Sequence, residues 1–167
     1  MSGASTIIKN FRDGTITIED STGSPISIAV VYEEGNFSIS GLQQDLTEVA
    51  AYMDRGSLAS LRKTNQVFPT WSFSSHMTHF TSGGSGAISI LEFIKQVGGG
   101  ASLTSGSAGK GDVMTFQVEI KVEGTDFGDA SDHGIVMAEN VISVDWSEGD
   151  PSSFSVSGTC YGSITLS

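Results

Sequence analysis

A single cysteine, Cys160, in a chain of 167 residues excludes an internal disulfide framework. Charge is scarce as well. Asp, Glu, Lys and Arg make up 16% of the chain, against about a quarter in a typical soluble domain. Basic residues are the scarcer kind, 8 against 19 acidic, for a formal net charge of −11. Such a chain repels nucleic acid and anionic membrane. No apolar run is long enough to cross a bilayer as a helix, and no secretory leader pattern is present. The expectation is a protein made, and acting, in a reducing cytoplasm. Its length fits one domain, 1–167, with a core large enough to need neither disulfide nor metal.

What fills the chain is alternation. In residues 148–166, "EGDPSSFSVSGTCYGSITL", the residues Phe154, Val156, Cys160, Ile164 and Leu166 share one parity. Ser153, Ser155, Ser157, Thr159, Ser163 and Thr165 take the other. A period of two is a strand with one apolar face, yet the opposite face carries hydroxyls where a solvated strand carries Lys and Glu. "TWSFSSHMTHF" repeats the device, with Trp71, Phe73, Met77 and His79 against Thr70, Ser72, Ser74 and Thr78. "VMTFQVEIKVEG" has an ordinary solvated side, Gln117, Glu119, Lys121 and Glu123, behind Met114, Phe116, Val118, Ile120 and Val122. Near the start, "GTITIED" (Ile16, Ile18), "PISIAVVY" (Ile26, Ile28, Val30) and "NFSISG" (Phe37, Ile39) predict a three-stranded meander. With "GIVMAENVISVDW" the total is about seven strands.

One segment has the helical period: "SGAISILEFIKQVGGG" sets Ala87, Ile90, Leu91, Ile94 and Val97 on one face. It predicts a helix at about 87–97, with Ser85 as N-cap and Gly98 as stop. Residues 42–66 read either as a short helix on Leu46, Val49, Ala50 and Met53 or as a long projecting loop, a length that in a compact domain usually signals function or disorder. "GGGASLTSGSAGKGD" is a Gly/Ser-rich connection.

Motifs for chemistry fall short. "GGSGA" at 83–87 misses the nucleophile elbow at Ala87. In "GSAGKGD", Lys110 is followed by Gly111 where a phosphate loop needs Ser or Thr. Asp126, Asp129, Asp132 and His133 lack calcium-loop spacing, with Met137 where the bidentate Glu belongs. His76 and His79, three apart on a strand, point to opposite faces. Cys160 has core parity. The expectation is no enzyme, no cofactor and no metal.

A surface that stays wet has no reason to avoid charge, whereas one covered by another protein does. Copies that close into a ring also remove the open sheet edges that invite uncontrolled pairing. "RDGTITIEDSTG", "EGNFSISGL", "RGSLASLRKTNQVFPTWSFS" and "WSEGDPSSFSVSGTCYGSITL", with "ILEFIKQVG" between them, cover about half the chain. In that order the chain resembles the tail tube proteins (major tail proteins) of long-tailed bacteriophages. The resemblance implies a mainly β fold, an antiparallel β-sandwich or barrel with a flanking helix, and a role as a structural virion subunit assembled in the host cytoplasm. It implies hexameric rings stacked into a hollow tube, with a tape measure protein and tail terminator or tail tip proteins as partners, through which DNA passes without specific binding. The long loop would reach the neighbouring ring, which makes Leu46, Val49, Met53, Arg55, Leu58, Leu61 and Arg62 the candidate inter-ring contacts. Glu119, Glu123, Asp126 and Asp129 are the candidate acidic residues of the lumen. The alternative is a lectin-like β-sandwich that binds carbohydrate through Tyr52, Phe80, Trp146 or Tyr161, and a small hydrolase using Ser85 comes third.

Overall fold

Among the described residues alternation becomes ten strands, all paired antiparallel. The computed structural model describes residues 14–22, 27–30, 36–77, 88–105, 111–122 and 130–166. In chain order the strands are β1 (Thr15–Glu19), β2 (Ser27–Val30), β3 (Ser38–Ser40), β4 (Thr47–Asp54), β5 (Ser57–Gln66), β6 (Thr70–His76), β7 (Phe116–Val122), β8 (His133–Ser147), β9 (Ser153–Cys160) and β10 (Ile164–Leu166). The helix α1 (Ile90–Lys95) lies between β6 and β7. The main sheet runs β2-β1-β7-β8-β9-β6-β3, and β4 with β5 forms a separate two-stranded sheet.

The 15-residue β8 is the spine. Its first half pairs with β7 on one edge and β10 on the other, and its second half pairs with β9. Between the halves lies a β-bulge. Val118 faces Met137 and Phe116 faces Asn140, so Gln117 sits opposite both Ala138 and Glu139. Glu139 takes φ 54, left-handed. The extra residue exchanges the parity of the strand: Met137 is buried before it, and Asn140, Ile142 and Val144 face the core after it.

Asn140 fastens the bulge from inside. Fully buried, it donates through Nδ2 to the carbonyls of Met137 (2.7 Å) and Phe116 (3.0 Å). Its Oδ1 accepts from the Trp71 indole N–H at 2.8 Å. Trp71 lies flat beside Phe73 because Gly158, across the ladder, has no Cβ; one placed there would meet the Trp71 ring at 2.5 Å.

Both parts of the sheet empty their apolar faces into one core. Ile16, Ile18, Phe116, Val118, Ile120 and Met137 come from one side of the bulge, and Trp71, Phe73, Phe154 and Val156 from the other. The helix closes it with Ile90 and Phe93, the Phe93 ring 4.8 Å from Phe116. The protein is thus mainly β, an antiparallel sheet curled into a sandwich or half-barrel around one short helix.

Several expectations change. The opening meander stops at two strands: β1 pairs β2, but β3 crosses to the far end of the sheet and pairs β6. The closing stretch is two strands, interrupted at residues 161–163 where the chain follows the bulge of β8. Leu166, expected inward, is 82% exposed. The helix is shorter than 87–97 because Ser89, not Ser85, caps it. The Ser89 hydroxyl accepts from Glu92 N–H while the Glu92 carboxylate accepts from Ser89 N–H, a capping box. Gln96 ends it in a left-handed conformation, which leaves Val97 exposed rather than on the buried face. Ser85, Ala87, His79, Phe80, Lys110 and the side chains of Ile26, Ile28 and Val30 lie outside what is described.

Candidate assembly surfaces

Residues 42–66 are neither helix nor irregular loop over most of their length. They form the β4–β5 hairpin. Its turn is Arg55-Gly56, both at positive φ (48 and 86), the geometry of a two-residue hairpin loop, which favours Gly at the second place. Val67 N–H donates to the Leu46 carbonyl at 2.8 Å, tying the two ends together. Leu46 itself is left-handed, φ 46.

Beyond that root the hairpin is bare. Val49, Ala51 and Met53 share one face by strand alternation, and across the ladder Val49 faces Lys63, Ala51 faces Leu61 and Met53 faces Leu58. Val49, Met53, Leu58 and Leu61 are each 57–60% exposed. Arg55 and Arg62 are exposed too, and Lys63 pairs with Asp45 at 2.8 Å. Six of the seven expected inter-ring residues therefore stand exposed on the one hairpin, and the seventh, Leu46, stands at its root. The hairpin segment holds three of the chain's eight basic residues and three acidic ones, so it is neutral on an otherwise acidic molecule.

The two outer faces of the main sheet differ in chemistry. On the β1–β7 side, Thr15, Thr17 and Glu19 lie beside Lys121, Glu119 and Gln117. Lys121 Nζ stands 3.2 Å from Glu119 Oε1, and Gln117 donates to Glu19 at 3.2 Å. This is an ordinary solvated face. Glu119 is the one member of the acidic set within the described residues; Glu123, Asp126 and Asp129 lie outside them.

On the β3–β6–β9–β8 side the hydroxyls form rows. Ser40, Thr70, Thr159 and Val141 make one, and Ser38, Ser72, Ser157 and Ser143 the next. In the third, Ser74 and Ser155 precede Asp145, and Asn36 extends the row by a 2.7 Å bond from Nδ2 to Ser74 Oγ and by accepting from Ser74 N–H at 3.1 Å. Asp145 is the only ionisable side chain in the three rows. A groove of about 430 Å³ runs over the first two.

Chemistry for a reaction does not assemble among the described residues. No group of three or more metal-ligating side chains occurs there. Cys160 is buried and donates to the carbonyl of Ala138 at 3.3 Å; burial pushes its thiol above the ordinary cysteine range. Of the aromatics expected to hold sugar, Tyr52 is on the hairpin, Trp146 at the end of β8, and Tyr161 against Phe68, ring centroids 4.7 Å apart. They sit on different elements. No described helix is long and apolar enough to cross a membrane.

No protein-family model and no curated protein matches the chain. Solved structures do. A chain of an extracellular contractile injection system, the PVC sheath/tube terminator in its extended state, aligns with TM-score 0.55 at 11% identity over 99% of both chains. One from the PVC sheath-tube complex in its extended state aligns at 0.55 and 10% identity, over 97% of this chain and 93% of that one. The anti-feeding prophage cap, an AFP tube terminating cap, gives 0.54 and 11% over 100% and 95%. At such identities the likeness is one of fold, and it runs end to end.

Proposed function

We propose that the chain is a structural subunit of a phage tail or phage-tail-like particle, joining copies of itself in hexameric rings that stack into a hollow tube, the conduit for DNA. The observation that carries this is the β4–β5 hairpin. A two-stranded ribbon is marginal alone in water, and this one shows solvent a mostly apolar face, with Lys63 opposite Val49, and a neutral charge balance while the rest of the chain is acidic. Both features suit a segment that docks on a neighbouring acidic copy. Burying the exposed half of four apolar side chains would contribute on the order of 1 kcal/mol each. The end-to-end likeness to chains of tube-containing assemblies supports the same reading. Tape measure, terminator and tip proteins are then the neighbours at the tube's interior and ends. Light scattering over a concentration series, with negative-stain microscopy of the concentrated sample, tests it. Rings or tubes of uniform width are expected, and a strictly monomeric species at millimolar concentration defeats it.

A further inference from the structure

The β3–β6–β9–β8 face fits neither of the two uses that a sheet face usually has. A water-facing exterior carries charge for solubility, as the β1–β7 face does with Glu19, Glu119 and Lys121. Here three rows hold Asp145 as their one ionisable side chain, in a chain of net charge −11. An interface between copies is built on aromatic, Met and Arg anchors and is depleted in Ser. Here those anchors are absent from the rows, which hold Ser and Thr with Val141, Asp145 and Asn36, and a groove of about 430 Å³ would hold water. The exposed Val49, Met53, Leu58 and Leu61 are elsewhere, on the hairpin.

Resting on the tube reading, we propose that this hydroxyl face is the wall that the passing cargo meets, and that it works by holding nothing. Hydroxyls keep a hydration layer on the wall. Without Lys or Arg no phosphate is neutralised, so no salt-dependent affinity retains DNA. Val141 is the one apolar side chain in the three rows, too small a patch to retain an unfolded polypeptide. The cargo class is therefore a linear polyanion, duplex DNA. Glu119, paired with Lys121 on the opposite outer face, would point away from the bore.

The test uses assembled tubes of the full chain carrying Ser72→Cys or Ser157→Cys, with Thr15→Cys on the charged face as the comparison; the native Cys160 is buried. Each is treated with a small maleimide and with the same maleimide on beads wider than the tube. Ser72→Cys and Ser157→Cys should take the small reagent and take the bead-bound one at least tenfold less, while Thr15→Cys takes both. Bead labelling at Ser72→Cys and Ser157→Cys equal to that at Thr15→Cys, or protection from both reagents, overturns the proposal. So does failure of both wall variants to assemble where the unmodified chain does, since that marks the face as a contact. Absence of tubes from the unmodified chain defeats the tube reading before any label is added, so the two failures are told apart.

Discussion

Asn140 concentrates more of the fold in one side chain than any other polar residue described. Its amide has two N–H donors and an acceptor oxygen, and it uses them on Phe116 of β7, Met137 of β8 and Trp71 of β6. Asn140→Ala would strand two buried carbonyls and an indole N–H, each costing about 1–3 kcal/mol. A loss of at least about 3 kcal/mol is expected, which for this chain length lowers the melting temperature by at least about 6 °C. Trp71→Phe leaves only Asn140 Oδ1 without its donor, one stranded group against three, so it should cost less than Asn140→Ala. Gly158→Ala acts on the same node by crowding: the added methyl collides with the face of a packed ring at 2.5 Å, and overpacking typically costs about 1–3 kcal/mol. Thermal melts of the three variants check this. Equal stability of Asn140→Ala and the unmodified protein would mean that the bulge holds without its buried amide.

At the scale of elements, the hairpin makes the sharper forecast. Replacing residues 47–66 by a short Gly/Ser link should leave the monomer folded, because every core residue lies outside that span, and should abolish assembly. Leu61→Asp should do the same with one substitution. Unfolding of the shortened chain, read by circular dichroism, would place the hairpin in the core and refute this.

How far the sequence could be read varies from element to element. Ile16 and Ile18, Trp71 and Phe73, and Phe116, Val118 and Ile120 could be placed inward from alternation alone, since each lies on an uninterrupted stretch. The hairpin could not, for two physical reasons. Its register shifts near Thr47 and again near Met53, so the period of two breaks, and with both faces exposed no burial enforces a pattern. The signal that was available is Arg55-Gly56, a turn pair between two β-prone runs. On α1 the missed signal was Ser89–Glu92, the capping box, and with it Phe93, whose fully buried ring lies beyond the stripe Ile90, Leu91 and Ile94. The hydroxyl face was visible residue by residue. Its continuity over four strands was not, because β3 reaches the sheet by a crossover that sequence order conceals.

For the whole molecule, charge and assembly oppose each other. Copies carrying −11 repel, whereas the hairpin proposed to join them is neutral and its proposed contact face mostly apolar, so salt should have little attraction to screen and much repulsion. The Debye length falls from about 30 Å at 0.01 M to about 8 Å at 0.15 M, a change from spanning a neighbouring subunit to spanning one strand layer. Raising salt over that range should therefore lower the concentration at which scattering shows assembly. Protein–DNA contact has the opposite sign, since attraction to phosphate weakens with salt. The unmodified tube should bind no duplex DNA even at about 0.05 M salt, where basic contacts would be strongest. Ser72→Lys with Ser157→Lys should introduce binding that disappears as salt rises. If assembly instead required low salt, the subunits would be held by ion pairs such as those available to Arg55 and Arg62, and the apolar face of Val49, Met53, Leu58 and Leu61 would lose its role as the joint.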